Sequence, residues 1–133
     1  MVAGMTQVGV TVVQDGYVVD SGTFATLTFE DVGIAASDDV AMLLKAHYCV
    51  KELNEDLGDN IVTGYFSAAI QYVGGTPTII SSTDRDAEGS LSIGAVNIAV
   101  SSDDIILKID NEATQNYQCL GAFEIYAVSY EIV

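Results

Sequence analysis

Val40-Ala-Met-Leu-Leu-Lys-Ala-His-Tyr-Cys-Val-Lys-Glu-Leu53 is the stretch whose reading decides the fold. It is rich in good helix formers, and Ser37 is placed to cap a helix. Read as a helix, its stripe runs Val40, Leu43, Leu44, His47, Val50 or Lys51, and then Asn54, where it decays into polar residues. Read as a strand, it puts Met42, Leu44, Ala46, Tyr48 and Val50 on one side, apolar at every position. Lys45, His47 and Lys51 then share the opposite side with Cys49. The period of two fits better than the period of 3.6, so the stretch is predicted to be a strand.

The same period extends outward in both directions. Residues 61–73 place Val62, Phe66, Ala68, Ile70 and Tyr72 on one face, and residues 54–60 join the two segments into a long hairpin. Further alternating segments are 8–13, 17–19, 23–29, 78–83, 91–100, 105–110 and 117–132. They are punctuated by Gln14-Asp15-Gly16, Asp20-Ser21-Gly22, Gly74-Gly75-Thr76-Pro77, Asp86-Ala87-Glu88-Gly89, Ser101-Ser102-Asp103-Asp104 and Asn111-Glu112, all of turn composition. Residues 30–39 read as a loop. Many short strands without intervening helices predict an all-β fold, an antiparallel β-sandwich or jelly-roll-like single domain. Residues 1–22 hold little bulk and read as an N-terminal arm or an edge strand, leaving 23–133 as the sandwich. In the last segment Tyr126, Val128, Tyr130 and Ile132 alternate with Phe123, Ile125 and Ala127, so both faces are apolar and both require a cover.

Composition narrows the function classes. At 133 residues, half of them apolar and 17% charged, the chain is long enough for one packed core and not of disordered composition. Nineteen acidic residues against Lys45, Lys51, Arg85 and Lys108 give a net charge of −15. Four scattered cations do not form the basic patch that nucleic acid or an anionic membrane requires. No apolar run approaches the ~20 residues of a spanning helix. The first residues lack the charged and apolar regions of a secretion signal, so synthesis in a host cytoplasm is expected.

Reactive chemistry is sparsely represented. The only histidine, His47, restricts acid–base triads to one arrangement, and neither a Gly-x-Ser-x-Gly elbow nor a Gly-rich phosphate loop occurs. Paired carboxylates abound, but a glycosidase cleft also uses aromatic platforms, and tryptophan is absent. Cys49 and Cys119 read as buried, inert thiols rather than as a disulfide or zinc ligands, since His47 alone completes too small a ligand set. Asp84-Arg85-Asp86-Ala87-Glu88-Gly89 resembles the opening of a calcium loop, but the twelfth position is Ala95 where a bidentate acid belongs, and a polar hairpin turn is expected. No enzyme activity, cofactor or metal is expected.

Residues 91–128, Leu91-Ser-Ile-Gly-Ala-Val-Asn-Ile-Ala-Val-Ser-Ser-Asp-Asp-Ile-Ile-Leu-Lys-Ile-Asp-Asn-Glu-Ala-Thr-Gln-Asn-Tyr-Gln-Cys-Leu-Gly-Ala-Phe-Glu-Ile-Tyr-Ala-Val128, are similar to modules of tailed-bacteriophage virion proteins. Such modules read as strand, polar turn, strand, small-residue turn and a long closing strand with an early aromatic. Asp103-Asp104, Asn111-Glu112-Ala113 and Tyr117 take those places here, Tyr117 standing where Trp is common. The hairpin 40–73 with Gly74-Gly75 extends the resemblance to about residues 24–128. It implies a virion structural protein, and the size of the chain favours a capsid decoration (cement) protein at the capsid surface, bound to the major capsid protein. The alternative is a tail fibre or a receptor- or glycan-binding module of the tail. A homotrimer is expected, with Tyr126, Tyr130 and Ile132 at the subunit contact and the arm residues Val8, Val10, Val12 and Tyr17 reaching toward the capsid.

Overall fold

A computed structural model describes residues 3–19, 21–35, 37, 39–53, 61–89, 96–110 and 116–132, with 3–12, 17, 19, 85–89 and 127–132 described by their backbone. Among the described residues eight strands follow one another: β1 (Ala3–Val19), β2 (Gly22–Leu27), β3 (Val40–Glu52), β4 (Ile61–Val73), β5 (Thr76–Gly89), β6 (Val96–Ser101), β7 (Asp104–Ile109) and β8 (Asn116–Ile132). They form a five-stranded sheet in the order β1-β8-β3-β4-β5 and a three-stranded sheet in the order β2-β7-β6. Every pairing is antiparallel. The two sheets pack face to face, and the chain is an all-β antiparallel sandwich.

The stretch 40–53 is β3, and its burial alternates as the strand reading requires. Met42, Leu44, Ala46, Tyr48 and Val50 are buried, and β4 matches them with Val62, Phe66, Ala68, Ile70 and Tyr72. Helix propensity loses because this apolar face is continuous only at period two, and burying it outweighs a few tenths of a kcal/mol per residue. From the small sheet, Ala25, Leu27, Ile105, Leu107 and Ile109 close on the same core. A short 3-10 helix, Phe29–Val32, plugs one end, with Phe29 stacked on Tyr72 at 4.5 Å between ring centroids. Gly33 ends it in the left-handed region, where a side chain is strained.

Three expectations are corrected. Gln14-Asp15-Gly16 is not a turn: β1 runs through it, paired with Gly121, Leu120 and Cys119 of β8. Its residues serve the corner between the sheets instead. The Gln14 side-chain amide donates to the Thr26 carbonyl and accepts from the Thr26 N–H at 2.8 Å, standing in for a strand residue. A Cβ on Gly16 would lie 2.7 Å from the Phe24 carbonyl oxygen, so glycine is there for close approach and not for a bend. Asp84 to Gly89 likewise forms no hairpin turn. It continues β5 against β4, with a register shift between Thr63 and Tyr65 that absorbs the irregularity. Cys49 is only half-buried, because it alternates onto the opposite face from Cys119.

The expected turns at Gly74-Gly75 and Ser101–Asp104 hold. Gly74 and Gly75 both have positive φ, and Ser102 takes φ 53° between β6 and β7. Asp20, the loop 54–60, the Asn111-Glu112 turn and Ala95 lie outside the described residues.

Candidate functional site

Pleating gives the five-stranded sheet two faces, and only the inner one is covered by the small sheet. On the outer face the ladder sets Val13, Ala122, His47 and Tyr65 in one row across β1, β8, β3 and β4. Asp15, Leu120, Cys49 and Thr63 form a second row. Glu124, Lys45 and Ser67 make a third, and Tyr126, Leu43 and Ala69 a fourth. Val13 is 61% exposed, Leu43 and Leu120 are 44% exposed and Tyr126 48%. With strands ~4.8 Å apart and 13 residues in β3, the face measures roughly 20 by 40 Å. That is about the ~800 Å² each partner contributes to a standard interface.

Polar groups at the centre of this face are ordered by one another. Glu124 accepts from His47 Nε2 at 3.1 Å and from the Tyr126 hydroxyl. The hydrogen bonds from Tyr126 and His47 hold the Glu124 carboxyl below its usual range, with the Lys45 charge adding to them. The same bond to Glu124 raises the Tyr126 hydroxyl. The His47 ring lies 5.3 Å from the Tyr65 ring, and Lys45 Nζ sits 5.8 Å from that ring's centroid, a cation–π arrangement. A shallow hollow of about 340 Å³ opens between His47, Cys49, Tyr65 and Leu120.

Among the described side chains, the outer face carries Lys45 and Lys51 against Glu124 and Asp15, a balance on a chain of net −15. Among the described acids, Glu30, Asp103 and Asp104 border a separate hollow of about 440 Å³ with Gly74 and Gly75. The outer side of the small sheet is polar, with Lys108 paired to Asp110 at 3.2 Å and Asn97 donating to Asp110 at 3.0 Å. The Asn97 and Lys108 contacts lower the Asp110 carboxyl.

Below the sheet the titrating groups serve the core. Cys119 is pushed up to about 12 by burial, and its thiol stays protonated. Tyr48 is raised to about 12 by burial and by Asp84, whose Oδ1 accepts its hydroxyl at 3.1 Å. Among the described residues no three His, Cys, Asp or Glu side chains converge on a metal-sized site.

The residues singled out from the sequence separate clearly. Tyr126 is on the outer face, bound to Glu124. Tyr130 and Ile132 pair through their backbones with Met5 and Ala3, and their side chains lie outside the described set. Val8, Val10, Val12 and Tyr17 pair with Ala127, Ile125, Phe123 and Gln118 of β8, again described by backbone. Sequence reasoning placed Lys45, His47 and Cys49 on one face but missed Glu124, because it reaches His47 from 77 residues away. No local pattern announces that contact.

A scan against protein-family models and a search of curated proteins each find no match to this chain. Among solved structures, the crystal structure of the Acinetobacter baumannii phage AM24 tailspike protein is similar with a TM-score of 0.46 and 9% sequence identity. The match covers 92% of this chain and 26% of that one, so the chain spans about a quarter of the tailspike's length.

Proposed function

We propose that this chain is a structural domain of a tailed-phage virion that docks through the outer face of its five-stranded sheet and catalyses no reaction. The observation that carries the reading is the charge-balanced, apolar-rich outer face on an otherwise strongly acidic molecule. The net charge of −15 repels an anionic partner from the molecule as a whole, and the described residues of this face add nothing to that repulsion. On this face Leu43, Leu120, Val13 and Tyr126 offer apolar area, while Lys45, His47 and Glu124 supply a fixed polar pattern that sets register. The partner is a neutral or mildly basic surface of a larger virion protein. Self-association belongs to the same reading, because repeated copies multiply weak contacts.

The sequence resemblance supports the virion as the location, and immunogold labelling of purified virions with antibody to this chain tests it. Label over the shell makes the chain a decoration protein bound to the major capsid protein. Label over the tail makes it a module of the tail apparatus. Virions that carry none of the chain would sink the proposal.

A further inference from the structure

The two edges of the five-stranded sheet are built differently. At β5 three devices that discourage strand addition are present: Pro77, register shifts at Ala69/Ile70 and Thr63/Tyr65, and the charges of Asp84, Arg85, Asp86 and Glu88. At the other edge, β1 pairs with β8 over Ala3 to Val19 without a single register shift. From Ala3 to Gln14 it contains no charged residue and no proline. Its far end is covered, since Gln14 bonds to Thr26 and Gly16 lies against Phe24 of β2. Among the described residues, no strand pairs with the outer edge of residues 3–13.

We infer that residues 3–13 of β1 pair antiparallel with the same residues of a second copy, joining two five-stranded sheets into one of ten strands. The occupant follows from charge and symmetry. Two molecules of net −15 approach most cheaply where neither carries charge, and the uncharged edge is such a place. An isologous contact needs only one sequence, and antiparallel pairing of identical strands supplies it. A two-fold axis at Val8 sets Ala3 opposite Val13 and Met5 opposite Thr11, consuming the whole free edge. Positions of equal parity then meet, so the outer faces of both sheets lie on the same side and become continuous. Asp15 of each copy falls beyond the paired region. This arrangement is two-fold, in place of the three-fold one expected from the aromatic last strand, and it holds wherever on a virion the chain resides.

Sedimentation of the full chain at tens of micromolar, in low and in 0.5 M salt, reads the assembly state directly. A dimer strengthened by salt is expected, since screening weakens the mutual repulsion. A monomer in both salts, or a trimer, overturns the inference. Two variants test the register. M5K/T11K sets like charges opposite each other twice across the axis, whereas M5E/T11K sets opposite charges there. The first is expected to dissociate at least about tenfold more readily, even though its added lysines reduce the overall negative charge. Equal dimerisation of the two would place the contact elsewhere and overturn the inference. If either variant fails to fold, amide hydrogen exchange on the unaltered protein decides. Concentration-dependent protection of alternate β1 amides supports the pairing, and protection independent of concentration refutes it.

Discussion

The inner and outer faces of the five-stranded sheet are made by neighbouring residues of the same strands, yet they answer to different demands. Along β8, Tyr117, Cys119, Phe123 and Ile125 are buried against the small sheet, while Leu120 and Tyr126 between and beyond them are exposed. Inward, tolerance is set by close packing: a Cβ on Gly121 would come within 2.5 Å of the Ala25 Cβ and 3.2 Å of Leu107. Outward, side chains meet solvent and one another, and under the proposed docking what matters is the pattern they present. Alternate residues of one strand thus divide packing in the core from exposure at the surface.

The comparison is broken most severely from the inside. Phe123→Ala removes a side chain with no exposed surface and should cost about 3–5 kcal/mol in denaturant unfolding. Gly121→Ala, the addition of one methyl, should cost about 2 kcal/mol, because two packed sheets must move apart to admit it. A loss below about 0.5 kcal/mol would mean the sheets are less tightly joined than this glycine implies.

Alkaline pH probes the inner face without mutation. The Cys119 thiol, usually near 9, is raised to about 12 by burial. The unfolded chain therefore loses a proton that the folded chain keeps, so stability is full below pH 9 and declines as pH rises toward 12. Between pH 8 and pH 10 the decline should be roughly 1 kcal/mol, and Cys119→Ala should flatten it. Above pH 10 the Tyr48 hydroxyl, raised to about 12, adds to the decline in both proteins.

Outer-face substitutions should reverse the pattern. The double variant Leu43→Ser/Leu120→Ser is expected to unfold within about 1 kcal/mol of the unaltered chain, since both sites are exposed. Its attachment to virions should nevertheless fall at least about tenfold, the usual consequence of emptying the centre of an interface. Retained attachment would remove this face from the docking surface. The smallest effect is electrostatic. Glu124 is held below its usual range, so its contribution is present above about pH 4.5 and is lost as pH falls through the lowered value. Glu124→Gln should narrow the difference in melting temperature between pH 7 and pH 3.

The strand pattern and the division of faces were legible in the residues themselves. In 40–53 and 61–73, identity alternates cleanly enough between apolar and polar that period two fixes which side chains are buried. The turns at Gly74-Gly75 and Ser101–Asp104 were equally legible, because positive φ selects glycine and short polar residues locally. Other features had no local cause. Gln14-Asp15-Gly16 carries turn chemistry, but its glycine and amide are used against Phe24 and Thr26 of another strand, a demand visible only when the sheets are packed. The His47–Glu124–Tyr126 cluster and the separation of Cys49 from Cys119 depend on β8 lying beside β3 in one register. Local sequence sets which way a side chain alternates; which residues become its neighbours across the sheet, and which edge stays open, is decided by strand order and register, which are collective properties of the folded chain.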